Sequence, residues 1–258
     1  MTHLVADWTK SLTAVVAAIA LVPVAQGQTV PRGADGRPDF SGFWQVISAA
    51  AWNIQDHHAD LDVPAGQGVV EGNEIPYQPW ALAQKQENFE NRETLDPNRQ
   101  CYLPGVPRIM YMPFPFQIVQ GEGHTAILFE YVHAIRHIFM DGTPHPEGHI
   151  PWWKGDARGH WEGDTLVVVT NNFNGLTRSF GRAGTSLHKV LTERLTRVGP
   201  YTVDYEFTID DPVTFSDKLT AIVSMTKVAG LLYEYACHEG NYGMENILRL
   251  SLIHISAP

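Results

Sequence analysis

The sequence predicts a mainly β protein, an antiparallel meander closing into a lipocalin-like barrel, with one N-terminal helix and long loops. Three observations carry this. From residue 113 onward, β-rich runs follow one another across tight Gly-containing turns at 121–123 and 162–164. Val203, Tyr205, Phe207 and Ile209 alternate with Asp204, Glu206, Thr208 and Asp210, so one strand face is buried and the other wet. No strand–helix alternation appears in the second half, which argues against a doubly wound parallel sheet. A meander of this number of strands closes or stacks, and small closed barrels of about eight strands hold a small ligand in the mouth.

The elements follow in order. Lys10 precedes an apolar run over 12–24 that ends at Ala25-Gln26-Gly27, so residues 1–27 read as a signal peptide. The run is too short and too interrupted by Pro23 for a stable membrane span after cleavage. Residues 28–112 form a lead-in, first strand and helix: turn chemistry at 31–41, a strand over 43–47, aperiodic loop over 48–76, and a helix over 79–92 with Pro79 in its first turn. The barrel occupies 113–249, with strands at 116–120, 125–140, 159–161, 165–170, 187–198, 201–209, 219–228 and 231–237. Residues 250–258 are apolar and abrupt after Arg249, and read as a non-native tail.

Composition bounds the function. The 258 residues are 44% hydrophobic and 18% charged, enough apolar material for a full core. A net charge of −10, from 18 Lys+Arg against 28 Asp+Glu, excludes a nucleic-acid backbone as the main partner. There is no G-x-S-x-G elbow, H-E-x-x-H, P-loop, dinucleotide fingerprint or C-x-x-C. Standard serine hydrolases, zincin proteases and nucleotide enzymes are thereby disfavoured. In an exported chain, the only two cysteines, Cys101 and Cys237, are expected to form a disulfide, the alternatives being inert thiols or a nucleophile.

The 12 histidines concentrate between His124 and His160. Over 125–140, taken as one strand, His133 and His137 share a face with Ile127, Phe129, Tyr131, Ile135 and Phe139. If that face lines the barrel, both imidazoles point inward as general acid or base, or are satisfied core histidines. Arg136 falls on the opposite face. Glu193 lies between Leu191 and Leu195; if these face the core, it is buried, and is either paired or held protonated for acid–base work. Arg194 or Arg136 would stabilise developing negative charge. His238 and Glu239 follow Cys237, whose disulfide would hold them in place. The loop carrying His145 and His149, with His160 beyond it, is the candidate site for a divalent metal, the only cofactor the sequence suggests. Tyr131, Trp152, Trp153 and Trp161 would line a barrel mouth for an apolar or aromatic ligand, or form a hydrophobic plug.

The segments D-G-R-P-D-F-S-G-F-W at 35–44, H-W-E-G-D-T-L-V-V at 160–168 and Y-A-C-H-E-G-N-Y-G-M at 235–244 resemble a widespread group of exported bacterial proteins to which no reaction is assigned. The resemblance spans most of the mature chain, implies export and transfers no mechanism. The residues themselves point to an exported, periplasmic or extracellular, β-barrel enzyme acting on a small apolar or aromatic molecule by His/carboxylate acid–base chemistry, as a lyase, isomerase or non-serine hydrolase. The alternatives are a periplasmic small-molecule-binding barrel without turnover, a metal-dependent enzyme using the loop histidines, and a structural envelope protein.

Overall fold

Nine strands close into a barrel in strict sequence order. The computed structural model describes residues 29–60, 63–95, 101–148, 150–175, 185–235, 237 and 242–255. The segment 1–27, expected to be a signal peptide, lies outside them. The strands are β1 (Gly42–Gln45), β2 (Phe116–Gln120), β3 (His124–Phe129), β4 (Ile135–Phe139), β5 (Asp156–Glu162), β6 (Thr165–Asn171), β7 (Val190–Arg197), β8 (Thr202–Asp210) and β9 (Leu219–Lys227). Antiparallel pairing of β1 with both β2 and β9 removes the edges that an open sheet would expose. One contact departs from the meander. β5 runs parallel to β4, meeting it at Phe139 and Arg158, because the chain over 140–155 travels back along the barrel before re-entering it.

The register aligns the inward side chains of β6 to β9 in three cross-strand rows. Thr170, Leu191 and Ile209 are cross-strand neighbours, as are Val168, Glu193, Phe207 and Ala221, and Leu166, Leu195, Tyr205 and Val223. Cross-strand partners point to the same side of a sheet, so these side chains, with Trp44, Phe116, Ile118, Ile127 and Ile138, fill the interior. The face read from Val203, Tyr205, Phe207 and Ile209 is indeed the buried one.

The first correction concerns 125–140, which is two strands and not one. The 3₁₀ turn Tyr131–His133 joins β3 to β4, with Val132 and His133 both in the left-handed region at φ +51° and +50°. Ile127 pairs with Arg136. An odd residue therefore meets an even one, and the inward phase passes from Thr125, Ile127 and Phe129 to Arg136 and Ile138. The second correction concerns 231–237: residues 231–235 form no strand, and cross the β3–β4 turn instead, where the Tyr233 amide donates to Glu130 Oε2 at 2.9 Å.

The helices are peripheral. Helix α1 (Pro79–Glu90) opens on proline as expected and buries only Ala81 and Asn88; α2 (Arg92–Leu95) extends it. Helix α3 (Arg108–Tyr111) buries Ile109, Met110 and Tyr111 over the barrel end where β6 finishes and β7 begins, stacking Tyr111 on the inward Phe207 at 5.8 Å between ring centroids. Helix α4 (Gly243–Ile255) runs unbroken through position 250. Among the described residues no helix is long and apolar enough to cross a membrane. Cys101 and Cys237 form the expected disulfide, which ties the segment after β9 to the segment before α3.

Candidate functional site

Glu193 is fully buried, and its carboxylate is saturated. Arg136 grips it with both terminal nitrogens, Nη1 at 2.8 Å from Oε1 and Nη2 on Oε2, while the Tyr205 hydroxyl donates to Oε1 at 2.6 Å. Arg136 Nη2 also donates to Thr170 Oγ1 at 2.9 Å. Strand phase dictates this meeting, since β4, β6, β7 and β8 turn Arg136, Thr170, Glu193 and Tyr205 to the buried face. Burial alone would loosen the Arg136 proton, but the charge and hydrogen bonds of Glu193 outweigh it and bind the proton more tightly than usual. Burial, reinforced by Glu193, likewise pushes the Tyr205 hydroxyl well above its ordinary range. Of the two sequence readings of Glu193, the paired one is observed.

Lys189 stands at the barrel end beneath α3, with Nζ donating to the Val106 carbonyl at 3.1 Å and lying 3.8 Å from the Phe173 ring centroid. It is almost entirely buried, and burial pushes its ammonium down to about 7, partly offset by Asp211 and Glu193.

A second cluster lies outside the barrel. Asp156 and Arg158 point away from the interior, opposite to Ala157, yet the Asp156 side chain is only 4% exposed because the loop after β4 covers it. His145, on that loop, places Nδ1 at 2.7 Å from Asp156 Oδ1, with its side chain 24% exposed. A carboxylate only accepts, so the proton is on Nδ1, and in the neutral ring Nε2 is the acceptor. Arg158 braces the carboxylate through Nε to Oδ1 at 2.7 Å and Nη2 to Oδ2 at 3.0 Å. Its own position is set by Thr143 and by the Phe139 ring, whose centroid is 4.4 Å from the guanidinium carbon. Burial alone would raise the Asp156 carboxyl, but the hydrogen bonds from Arg158 and His145 hold it below the usual carboxylate range.

The remaining expected site residues are dispersed. His133 is exposed on the β3–β4 turn and His137 on the outer face of β4, so the expectation that they face the interior is corrected: the turn shifts the strand phase by one residue. Arg194 also points outward, bonded to Glu162 Oε2 at 2.9 Å, and His160 contacts Glu162 Oε1 at 3.2 Å. The metal set is not brought together. His145 bonds Asp156, four residues before His160 on the same strand and about 13 Å away along it. His149 lies outside the described residues, as do His238 and Glu239. Among the described residues no three His, Cys, Asp or Glu side chains form a metal-binding group.

Nor do the tryptophans share a mouth. Trp152 and Trp153, 38% and 39% exposed, precede β5, whereas Trp161 lies near the other end of that strand, stacked on Phe40 at 5.9 Å. Tyr131 is buried against Phe114 and Tyr235, with ring centroids 4.8 and 4.7 Å away. Sequence reasoning missed Tyr205, Thr170, Lys189, Asp156 and Arg158 as site residues. Only Tyr205 carried a signal, as a hydroxyl on a face already read as buried. Comparison with family models, with curated proteins and with solved structures finds no match for this chain.

Proposed function

We propose that this protein is an exported acid–base enzyme in which His145 acts as general base on a small molecule, in the manner of a non-serine hydrolase or lyase. The observation that supports it is the His145–Asp156 pair: a solvent-reachable imidazole whose Nδ1 is tied to a buried, ionised carboxylate. His145 Nε2 takes a proton from water or from an acidic C–H of the substrate, and the resulting imidazolium is held by Asp156. Arg158 already pairs with this carboxylate, so Asp156 contributes the tautomer and ring orientation more than raw charge. Trp152 and Trp153, on the same β4–β5 connection, offer exposed indole faces for an apolar or aromatic substrate. Export is supported by the apolar N-terminal run and the disulfide between the only two cysteines. The buried Arg136–Glu193 network is the frame and takes no part in this chemistry.

The test is turnover of a panel of aryl esters, lactones and β-elimination substrates by the mature chain, alongside His145→Gln and Asp156→Asn. Loss of about 10²–10⁴-fold in both variants, with unchanged thermal unfolding, is expected. Full activity in His145→Gln, or no turnover of any panel member by the wild type, overturns the reading.

A further inference from the structure

Two short segments are locked side by side at the barrel end beneath α3. The Trp152 amide donates to the Asn172 carbonyl at 2.9 Å, and the Asn174 amide returns a bond to the Trp152 carbonyl at 3.0 Å. Gly155 is what allows the approach: its φ is +72°, and a Cβ there would lie 2.5 Å from the Asn171 carbonyl oxygen. Lys154 is thereby set over the end of β6, whose Thr170 holds Arg136, and Phe173 follows with its ring beneath Lys189. Three cations gather within one barrel end.

The anions there do not balance them. Glu193 is taken by Arg136 and Tyr205, and Asp211, held by the Ser186 amide and hydroxyl at 2.7 and 2.6 Å, exerts its charge on Lys189, which leaves two anions against three cations. Lys154, half-buried, has no ion pair with any described residue and feels the repulsion of Arg136. Two donors and one acceptor, the amide oxygen of Asn171, are also left over. Arg136 Nε, on a side chain almost wholly buried, has no acceptor, and neither does the buried Asn172 Nδ2. A buried N–H without an acceptor loses its hydration uncompensated, at a greater cost when the group is charged. What this end lacks is an anionic acceptor, in a chain whose net charge is −10.

We propose that the barrel end bounded by Arg136, Lys154, Asn172 and Phe173 binds a small organic carboxylate. The two carboxylate oxygens meet the Lys154 ammonium and the donors of Arg136 Nε and Asn172 Nδ2, and the organic portion rests against Phe173. A metal ion is disfavoured by the chemistry of the set, in which two cations and two N–H donors outweigh the single neutral amide oxygen of Asn171. The site stands independently of the His145 base.

Isothermal titration of the mature protein with acetate and with benzoate, at matched ionic strength, tests it, with acetamide, benzamide and chloride as controls. Saturable uptake of at least one carboxylate, no uptake of either amide, and at least a tenfold loss of affinity in Lys154→Met with retention in Lys154→Arg are expected. Lys154 is at the rim, so Lys154→Met should keep the wild-type melting temperature. No saturable binding of either carboxylate, equal binding by Lys154→Met, or equal binding of chloride would overturn the proposal.

Discussion

Replacing Glu193 by leucine should destabilise the barrel far more than replacing it together with its partner. The carboxylate accepts two bonds from Arg136 and one from Tyr205, all within a shell that solvent does not reach. Truncating it leaves a guanidinium buried with Thr170 as its remaining acceptor, and removing one member of a buried pair costs about 3–5 kcal/mol. For a domain of this size that corresponds to a melting temperature lower by roughly 6–20 °C. The double variant Arg136→Met/Glu193→Leu removes both charges and keeps the volume, so it should recover most of the loss, since apolar replacement of a buried pair is often neutral or stabilising. Urea unfolding of the oxidised protein, wild type, both single variants and the double, gives the coupling energy directly. A single-variant cost below about 1 kcal/mol, or a double variant no better than the singles, would refute the argument that the pair holds the barrel together as a saturated unit.

The remaining predictions concern Lys189 and the disulfide. Between pH about 7 and the ordinary lysine value of 10.5, the unfolded chain holds a proton that folded Lys189 has released, so stability rises with pH across that window by up to about 1.4 kcal/mol per pH unit. Above pH ~10 the trend should reverse, because Tyr205 and Tyr111 are held neutral by burial while their unfolded counterparts ionise. Urea midpoints from pH 6 to 11 read both limbs, and Lys189→Met should remove most of the rise, leaving the smaller part due to Lys154, and keep the fall; a wild-type midpoint flat from pH 7 to 9.5 would contradict the burial of this ammonium. Cys101 and Cys237 are 136 residues apart, for which chain entropy gives about 5 kcal/mol as an upper figure. The double serine variant should therefore unfold at clearly lower urea, and an unchanged midpoint would show that the bridge constrains nothing.

The sheet was legible wherever alternation and turn residues agreed. β8 shows strict two-residue alternation, and the β5–β6 turn at 162–164 carries glycine with φ +58°, so both were placed from pattern alone. The β3–β4 turn was not. It is built from Tyr131, Val132 and His133, none of them a turn residue, and it puts a β-branched side chain in the left-handed region. A run of apolar residues through such a turn is indistinguishable from a continuous strand. A strand read straight through this turn carries the wrong phase into β4, which puts His137 inside and Arg136 outside.

The same logic explains why Glu193 could be found and its partner could not. Its neighbours Leu191 and Leu195 fix its face within one strand, whereas Arg136 is reached only through three successive strand pairings, each of whose registers must be right. The His145–Asp156 pair is further from reach still. It joins a loop residue to the outward face of a strand, a contact set by how residues 140–155 fold back over β5. Periodicity along a strand specifies in or out, but says nothing about what a loop lays across the outer side. A carboxylate on that side would ordinarily be solvated; Asp156 is instead covered, braced by Arg158 and aimed at an imidazole. Desolvating an ionised carboxylate outside the barrel costs free energy that the hydrophobic core does not require, and two directed partners are needed to offset it. Structural stability alone gives little reason to keep such an arrangement, which is the physical ground for seeking the chemistry at His145.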